Sequence, residues 1–149
     1  MKNQLILLVC GCVILSACKK KEEDEQVVGP EPVIGFVALD PISVDNFKNS
    51  VNLVISYSDI NGDLGFENPD RYSLWVKDSR LDSADWYHVP PLAPPGYSLQ
   101  IQGSLNIVLN SMFILGNGDQ ELASLTVKLR DRAGHWSNIV NTPAITINK

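Results

Sequence analysis

No cysteine follows Cys18 in this chain of 149 residues, and the other two cysteines, Cys10 and Cys12, lie still closer to the start. A domain folded from the rest of the chain therefore has no disulfide and no thiolate ligand for zinc. Such a domain must be held together by its hydrophobic core, and a segment of about 120 residues is long enough to form one.

Positive charge is also scarce. Residues 30–149 carry eight Lys or Arg residues against thirteen Asp or Glu residues, a net charge of minus five. A surface that binds nucleic acid needs basic side chains to replace the counterions of the phosphates. We therefore expect no nucleic-acid partner, since an acidic domain is better suited to cations or basic surfaces.

Motifs for catalysis are missing as well. Neither His88 nor His135 has a serine nucleophile motif of the G-x-S-x-G type near it, and no phosphate-binding glycine loop or zinc-ligand spacing occurs. Asp59 and Asp63 could form a glycosidase pair, but two carboxylates within one turn more often cap it or bind a cation. We expect a protein without enzymatic activity.

Residues 1–17 are predicted to be a signal peptide. An apolar run, QLILLVCGCVIL, follows one positive charge and is too short to span a bilayer well. The next residues, LSAC, end at Cys18 and resemble the lipobox of bacterial lipoproteins. That resemblance implies cleavage after Ala17 and attachment of lipid to Cys18. An ordinary signal peptide that is cut nearby is the alternative.

Residues 18–32 are predicted to form a disordered tether. The segment KKKEEDEQVVGPEP follows Cys18; it begins with three lysines and then four acids and has little apolar surface to bury. Lysines followed by acids at this place resemble the surface-export signal of lipoproteins from Bacteroidota-type bacteria. The resemblance implies a lipid-anchored outer-membrane protein that is exposed on the cell surface. A solvated spacer facing the periplasm is the alternative.

Residues 33–149 show almost no helix signals and are predicted to form one all-β domain. Apolar and polar residues alternate in short runs, at residues 33–39, 51–57, 72–77, 97–102, 105–110, 123–130 and 144–148. Tyr72, Tyr97 and Leu99 are among the side chains expected to face inward. The pattern predicts an antiparallel two-sheet sandwich of immunoglobulin-like type with about seven strands. A small barrel is the main alternative, and the Cys…Trp…Cys signature of antibody domains is missing.

The end of the chain carries a more specific pattern. Residues 127–147 are predicted as strand, tight turn and strand. The turn resembles the D-x-A-G-[NH]-x-S-N turn of small immunoglobulin-like or cadherin-like domains in Bacteroidota lipoproteins. The matching residues are Asp131, Ala133, Gly134, Ser137 and Asn138. The resemblance implies a type of domain and no particular activity.

The acidic loop SDINGDLGFENPD, residues 58–70, is the first candidate site. Asp59, Asn61 and Asp63 have the spacing of oxygen ligands in a calcium loop, although Leu64 stands where that loop needs glycine. Asn-Gly and Asp also form ordinary turns, so a plain turn is the competing interpretation. If calcium binds, we expect Asp131 to join these three ligands from the last hairpin.

Aromatic residues form the second candidate site. Trp86 and Tyr87 begin a stiff, proline-rich loop, and Trp75 is predicted to point away from the core. Exposed aromatic side chains often mark surfaces that bind sugars or proteins. The alternative is that the loop folds over the sheet and covers Trp75.

The expected function is a non-enzymatic binding or accessory module that lipid on Cys18 anchors in the outer membrane. Its partner would be a protein or a glycan, and calcium would stabilise its acidic loop if the metal interpretation holds. A carbohydrate-binding accessory lipoprotein that uses Trp75, Trp86 and Tyr87 is the alternative.

Replacement of Cys18 by alanine is expected to abolish lipid anchoring, since no other cysteine thiol remains after cleavage. Cells fed a clickable palmitate analogue should label the wild-type protein and leave Cys18→Ala unlabelled. Ser16→Ala keeps a small residue before the cysteine and is the control that should stay labelled. Equal labelling of wild type and Cys18→Ala would contradict the lipoprotein interpretation.

Overall fold

The computed structural model describes residues 29–94 and 96–149, so the signal peptide, Cys18 and residues 18–28 of the predicted tether lie outside it. The prediction of an all-β domain is confirmed, because every regular element in the described residues is a strand. No helix there is long and apolar enough to cross a bilayer. The strands are β1 (Val33–Asp40), β2 (Ser43–Asp45), β3 (Val51–Asp59), β4 (Leu74–Asp78), β5 (Asp85–Tyr87), β6 (Ile101–Leu109), β7 (Gln120–Ala123), β8 (Leu125–Leu129), β9 (Val140–Asn141) and β10 (Ile145–Asn148).

The strands form three sheets, in the orders β1-β3-β6, β2-β10-β7 and β5-β4-β8-β9. All pairs are antiparallel except β2 with β10, which run parallel, so the prediction of purely antiparallel sheets is wrong for this pair. Only Pro41 and Ile42 separate β2 from β1. β2 thus follows β1 almost directly and is distant in sequence from β10. No tight turn joins β2 to β10, so the pair is not restricted to the antiparallel direction of a hairpin.

Two short breaks explain why three sheets appear where two were predicted. Ser124 alone separates β7 from β8, and residues 142–144 separate β9 from β10. Pro143 has no N–H to donate to a ladder. Thr142 instead donates its N–H to the Leu125 carbonyl, and its hydroxyl accepts the Leu125 N–H at 3.0 Å. The chain therefore runs from the second sheet into the third without leaving the core.

One hydrophobic core is enclosed by inward-facing residues of all three sheets. The predicted alternation is clearest in β3 and β8, where Leu53, Ile55, Val127 and Leu129 have no exposed surface. Ile145 and Ile147 in β10 are also fully buried. Burial of apolar area, at about 25 cal/mol per Å², is therefore the main stabilising term for this domain.

Some strand predictions are wrong. Residues 97–102 and 105–110 were expected as two strands, but residues 101–109 form the single strand β6, which pairs with β3 throughout. Tyr97, Leu99 and Tyr72 lie outside the strands and are 67%, 42% and 47% exposed instead of inward. Apolar residues at every second position also occur in loops, and there they give the same pattern as a strand. The strands β2, β5 and β9 were not predicted because they are too short to show a clear alternation.

Leu129→Ala is expected to lower the free energy of unfolding by about 2–5 kcal/mol, because the fully buried side chain leaves a cavity. Leu122→Ala is the matched control in β7, where the side chain is 63% exposed. It should cost less than about 0.5 kcal/mol. Urea unfolding measures both values, and equal losses would contradict the assignment of inner and outer faces.

Candidate functional site

The acidic loop and the last hairpin lie against each other. Leu64 forms an isolated β-bridge with Asp131. The Asp63 carbonyl accepts the N–H of Arg132, and Asp63 Oδ2 accepts the N–H of Ala133, both at 3.1 Å. The structure therefore brings Asp131 next to Asp63, as the interpretation of the last hairpin predicts.

Asp59, the last residue of β3, organises the acidic loop. Asp59 is 1% exposed, and its carboxylate accepts the backbone N–H groups of Asn61 at 3.1 Å and Asp63 at 2.8 Å. Gly62 adopts a φ of 65°, and a side chain there would collide with a backbone carbonyl oxygen. Leu64, at the position where a calcium loop has glycine, is fully buried. This is the carboxylate-capped geometry that the plain-turn interpretation predicts.

Asp131 has the same role in the last hairpin. Its side chain is fully buried, and Oδ1 accepts the N–H groups of Gly134 at 2.6 Å and His135 at 2.8 Å. Asp131 Oδ2 lies 2.8 Å from His135 Nδ1. This hydrogen bond, together with the negative charge of Asp131, raises the pKa of the half-exposed His135 above its usual value. The turn is thus closed by one buried carboxylate.

The Asp63 carboxylate accepts fewer hydrogen bonds than the carboxylates of Asp59 and Asp131. In the described part of the chain, its Oδ1 is buried and has no hydrogen-bond partner. Burial raises the pKa of Asp63, and the charges of Asp131 and Asp59 raise it further. Ionisation of Asp63 is therefore less favourable in the folded domain than in the unfolded chain, and either a proton or a cation would relieve the repulsion.

Calcium at Asp59, Asn61, Asp63 and Asp131 stays a prediction. Among residues 29–94 and 96–149, no three His, Cys, Asp or Glu side chains converge in a way that could hold a metal ion. Asp59 and Asp131 direct their oxygens at backbone N–H groups. A calcium ion at this place would have to compete with these hydrogen bonds.

The second candidate site contains all three tryptophans of the chain. Trp75 in β4 lies opposite Trp86 in β5 and opposite Lys128 in β8. Trp136 forms a bridge with Arg130, just beyond β8, and its ring centroid lies 5.8 Å from that of Trp86. These five residues form one surface on the outer side of the sheet, which we call the tryptophan face.

Strand alternation explains why the tryptophan face points outward. Leu74 and Val76, on either side of Trp75, are buried in the core, and Trp75 itself is half-buried. Trp86 is 44% exposed. The next residue in β5, Tyr87, faces the opposite way and packs against the core. The structure thus brings Trp75 and Trp86 together but removes Tyr87 from the predicted binding surface.

Two cations lie over the indole rings. Lys128 Nζ is 4.5 Å from the centroid of the Trp75 ring and 4.7 Å from that of Trp136. The Arg130 guanidinium lies 5.4 Å from the centroid of Trp136. Each such contact contributes about 0.5–1 kcal/mol at an exposed site. The positive charges are therefore ordered on the tryptophan face.

Sequence reasoning missed Lys128, Arg130 and Trp136. The alternation of β8 could have placed Lys128 on the outer side, since Val127 and Leu129 are inward. No comparable signal exists for Trp136, because only the bridge across the last turn brings it to Arg130.

An open depression of about 420 Å³ adjoins the tryptophan face. Asp70, Arg71, Tyr72, Trp86 and Arg130 line it. Two partly exposed aromatic rings, two guanidinium groups and one carboxylate thus surround the same space. A ligand that has both apolar faces and polar groups suits such a lining.

Asp63→Asn tests whether the loop binds calcium. In chelator at neutral pH, this variant should have a higher melting temperature than wild type, because the substitution removes an unfavourable charge. Calcium at ~100 times its dissociation constant would stabilise the wild type by about 2.7 kcal/mol. That corresponds to a rise in melting temperature on the order of 10 °C.

The calcium-dependent rise should be smaller in magnesium, which demands tighter octahedral geometry, and should be strongly reduced in Asp63→Asn. Asp82→Asn, an exposed carboxylate outside the loop, is the control and should behave as wild type. Identical wild-type melting curves in calcium and in chelator would decide for the plain turn.

Comparison with known proteins does not assign a family. No family model matches the chain, no curated protein matches its sequence, and no solved structure matches its fold. The lipoprotein resemblance therefore stays a prediction. Function has to be inferred from the contacts and charges of the two candidate sites, because a fold by itself does not establish an activity.

Proposed function

We propose that this protein is a small lipoprotein whose immunoglobulin-like domain acts as a non-enzymatic binding module on the surface of the outer membrane. The observation that carries the proposal is the tryptophan face. Large aromatic side chains are usually mostly buried, and a group of them at the surface is typical of an interaction site. Trp86 is 44% exposed, and Trp75 and Trp136 beside it are half-buried. Here every tryptophan of the chain lies on one outer surface, away from the core.

Strand pairing supports the immunoglobulin-like assignment. The order β1-β3-β6 corresponds to the A-B-E order of these sandwiches, and β4-β8-β9 corresponds to C-F-G. In this comparison the tryptophan face belongs to the sheet that contains C, F and G. The acidic loop then follows strand B, and the last hairpin joins strands F and G.

The length of the tether is consistent with a domain that is held at some distance from the membrane. Residues 19–32 separate Cys18 from the start of β1. An extended chain spans about 3.3–3.6 Å per residue, so these residues reach on the order of 50 Å. An anchored domain with this reach presents the tryptophan face to components of the cell surface.

A calcium ion on the acidic loop is the accessory part of this proposal. It would relieve the repulsion that raises the pKa of Asp63 and would stiffen the contact between the loop and the last hairpin. The ion would not lie on the binding surface itself, since none of the five residues of the tryptophan face has a carboxylate.

A carbohydrate-binding accessory lipoprotein is the second candidate. The depression favours it, because the rings of Tyr72 and Trp86 are 47% and 44% exposed and flank polar groups. Aromatic rings with this exposure can stack against the C–H faces of sugar rings. Tyr87, which the sequence suggested for this purpose, packs against the core.

Photocrosslinking on intact cells tests the binding face. A benzophenone amino acid at position 86 of the full-length protein is expected to give a covalent adduct with a cell-surface component, seen as a shifted band on an immunoblot. Position 47 is the matched control, because Phe47 is an aromatic residue that is 66% exposed and lies outside the tryptophan face. No adduct at position 86, or equal yields at both positions, would contradict the proposal.

A further inference from the structure

The cations of the domain are distributed unevenly. In the described residues, Lys48, Arg80 and Lys149 pair with carboxylates. Arg132 donates to backbone carbonyl oxygens of the acidic loop. The other four cations of this part of the chain have no carboxylate within ion-pair distance among the described residues, and these are Arg71, Lys77, Lys128 and Arg130.

The four cations without carboxylate partners lie on one side of the domain. Lys128 and Arg130 belong to the tryptophan face, and Arg71 lines the adjoining depression. Lys77 is two residues from Trp75 in β4 and therefore shares its outer side. A domain with net negative charge thus presents a positive surface at its aromatic site, which favours an anionic ligand.

The aromatic rings of the tryptophan face and the depression differ in whether a cation already lies over them. Those of Trp75 and Trp136 already have Lys128 over them, so they hold a cation in place. Trp86 and Tyr72 line the depression and are 44% and 47% exposed. Their ring faces are the apolar platforms of the site, and the C–H face of a sugar ring is the complementary surface.

The polar groups of the depression indicate which functional groups its ligand carries. A guanidinium binds a carboxylate through two parallel hydrogen bonds, and Arg71 and Arg130 both line the depression. Asp70 lies beside them as a hydrogen-bond acceptor, which suits the hydroxyl groups of a sugar. Because Asp70 stands beside the two guanidinium groups, the lining is not purely basic, as a surface that binds the phosphates of nucleic acid is.

From these contacts we infer that the tryptophan face and its depression bind an oligosaccharide that carries carboxylate groups, of the uronic acid type. This inference rests on the proposed function of the tryptophan face as the binding surface. The sugar rings stack on Trp86 and Tyr72, their carboxylates pair with Arg130 and Arg71, and a hydroxyl group donates to Asp70.

Isothermal titration calorimetry with the full-length protein in detergent micelles tests the inference. The probe is an oligogalacturonate, and the comparison is a neutral maltooligosaccharide of equal length. We expect the acidic oligosaccharide to bind about tenfold more tightly or better, since each guanidinium–carboxylate pair is lost with the neutral one. Intrinsic fluorescence should change on binding, because all three tryptophans lie at the site.

Variants locate the binding on the tryptophan face. Trp86→Ala and Arg130→Gln should each weaken binding by about tenfold or more, and Arg130→Lys should recover part of the loss, since it keeps the charge without the planar fork. Phe47→Ala and Lys48→Gln are the matched controls elsewhere on the surface and should bind as wild type. A melting curve for each variant shows that the fold is retained.

Each other outcome overturns the inference. Equal affinity for the neutral oligosaccharide would show that carboxylates are not recognised. Equal binding of poly-glutamate or of single-stranded oligodeoxythymidylate would show that charge alone is recognised and not a sugar. If the oligogalacturonate does not bind but position 86 crosslinks on cells, the acidic-glycan inference is wrong and the binding module stands. If both fail, the proposed function is wrong as well.

Discussion

The buried carboxylate of Asp131 is the interaction on which both candidate sites depend. It accepts two backbone N–H groups of the last turn, and the neighbouring Leu64 bridge joins that turn to the acidic loop. The same turn places Trp136 opposite Arg130 and so completes the tryptophan face. A buried charge is tolerated here because hydrogen bonds replace the water that it loses. The tryptophan face is thus fixed by a polar contact at the end of the core.

The carboxylates at this end of the domain make the stability of the two loops depend on pH. His135 has a raised pKa through Asp131, so its contribution to stability is full below the unfolded pKa of about 6.5 and is lost as the pH rises through the folded pKa. Asp63 also has a raised pKa, through burial and its acidic neighbours. Its ionisation opposes folding; this cost begins to fall as the pH drops through the folded pKa and is gone below the unfolded pKa of 3.8. Lowering the pH therefore shifts both groups towards the protonated form, which favours the folded loops.

The hydrophobic core and the tryptophan face lie on opposite sides of the same strands. In β4, Leu74 and Val76 are buried in the core, while Trp75 between them lies on the outer side. In β8, Val127 and Leu129 are fully buried, and Lys128 meets the tryptophans. Because the two sets of side chains do not share a face, changes on the tryptophan face leave the core packing intact. The outer surface can therefore be specialised for a ligand without loss of the fold.

The sequence by itself determined the all-β class and the inward residues of the long strands, because a period of two is a local property that β3 and β8 show without their neighbours. It also identified the carboxylates of the acidic loop and two of the three tryptophans. Only the tertiary structure decided that Tyr87 packs inward and that Trp136, Lys128 and Arg130 join Trp86. The register between distant strands and the closure of the last turn set these contacts, and both are fixed by packing of the whole core, which local spacing does not encode.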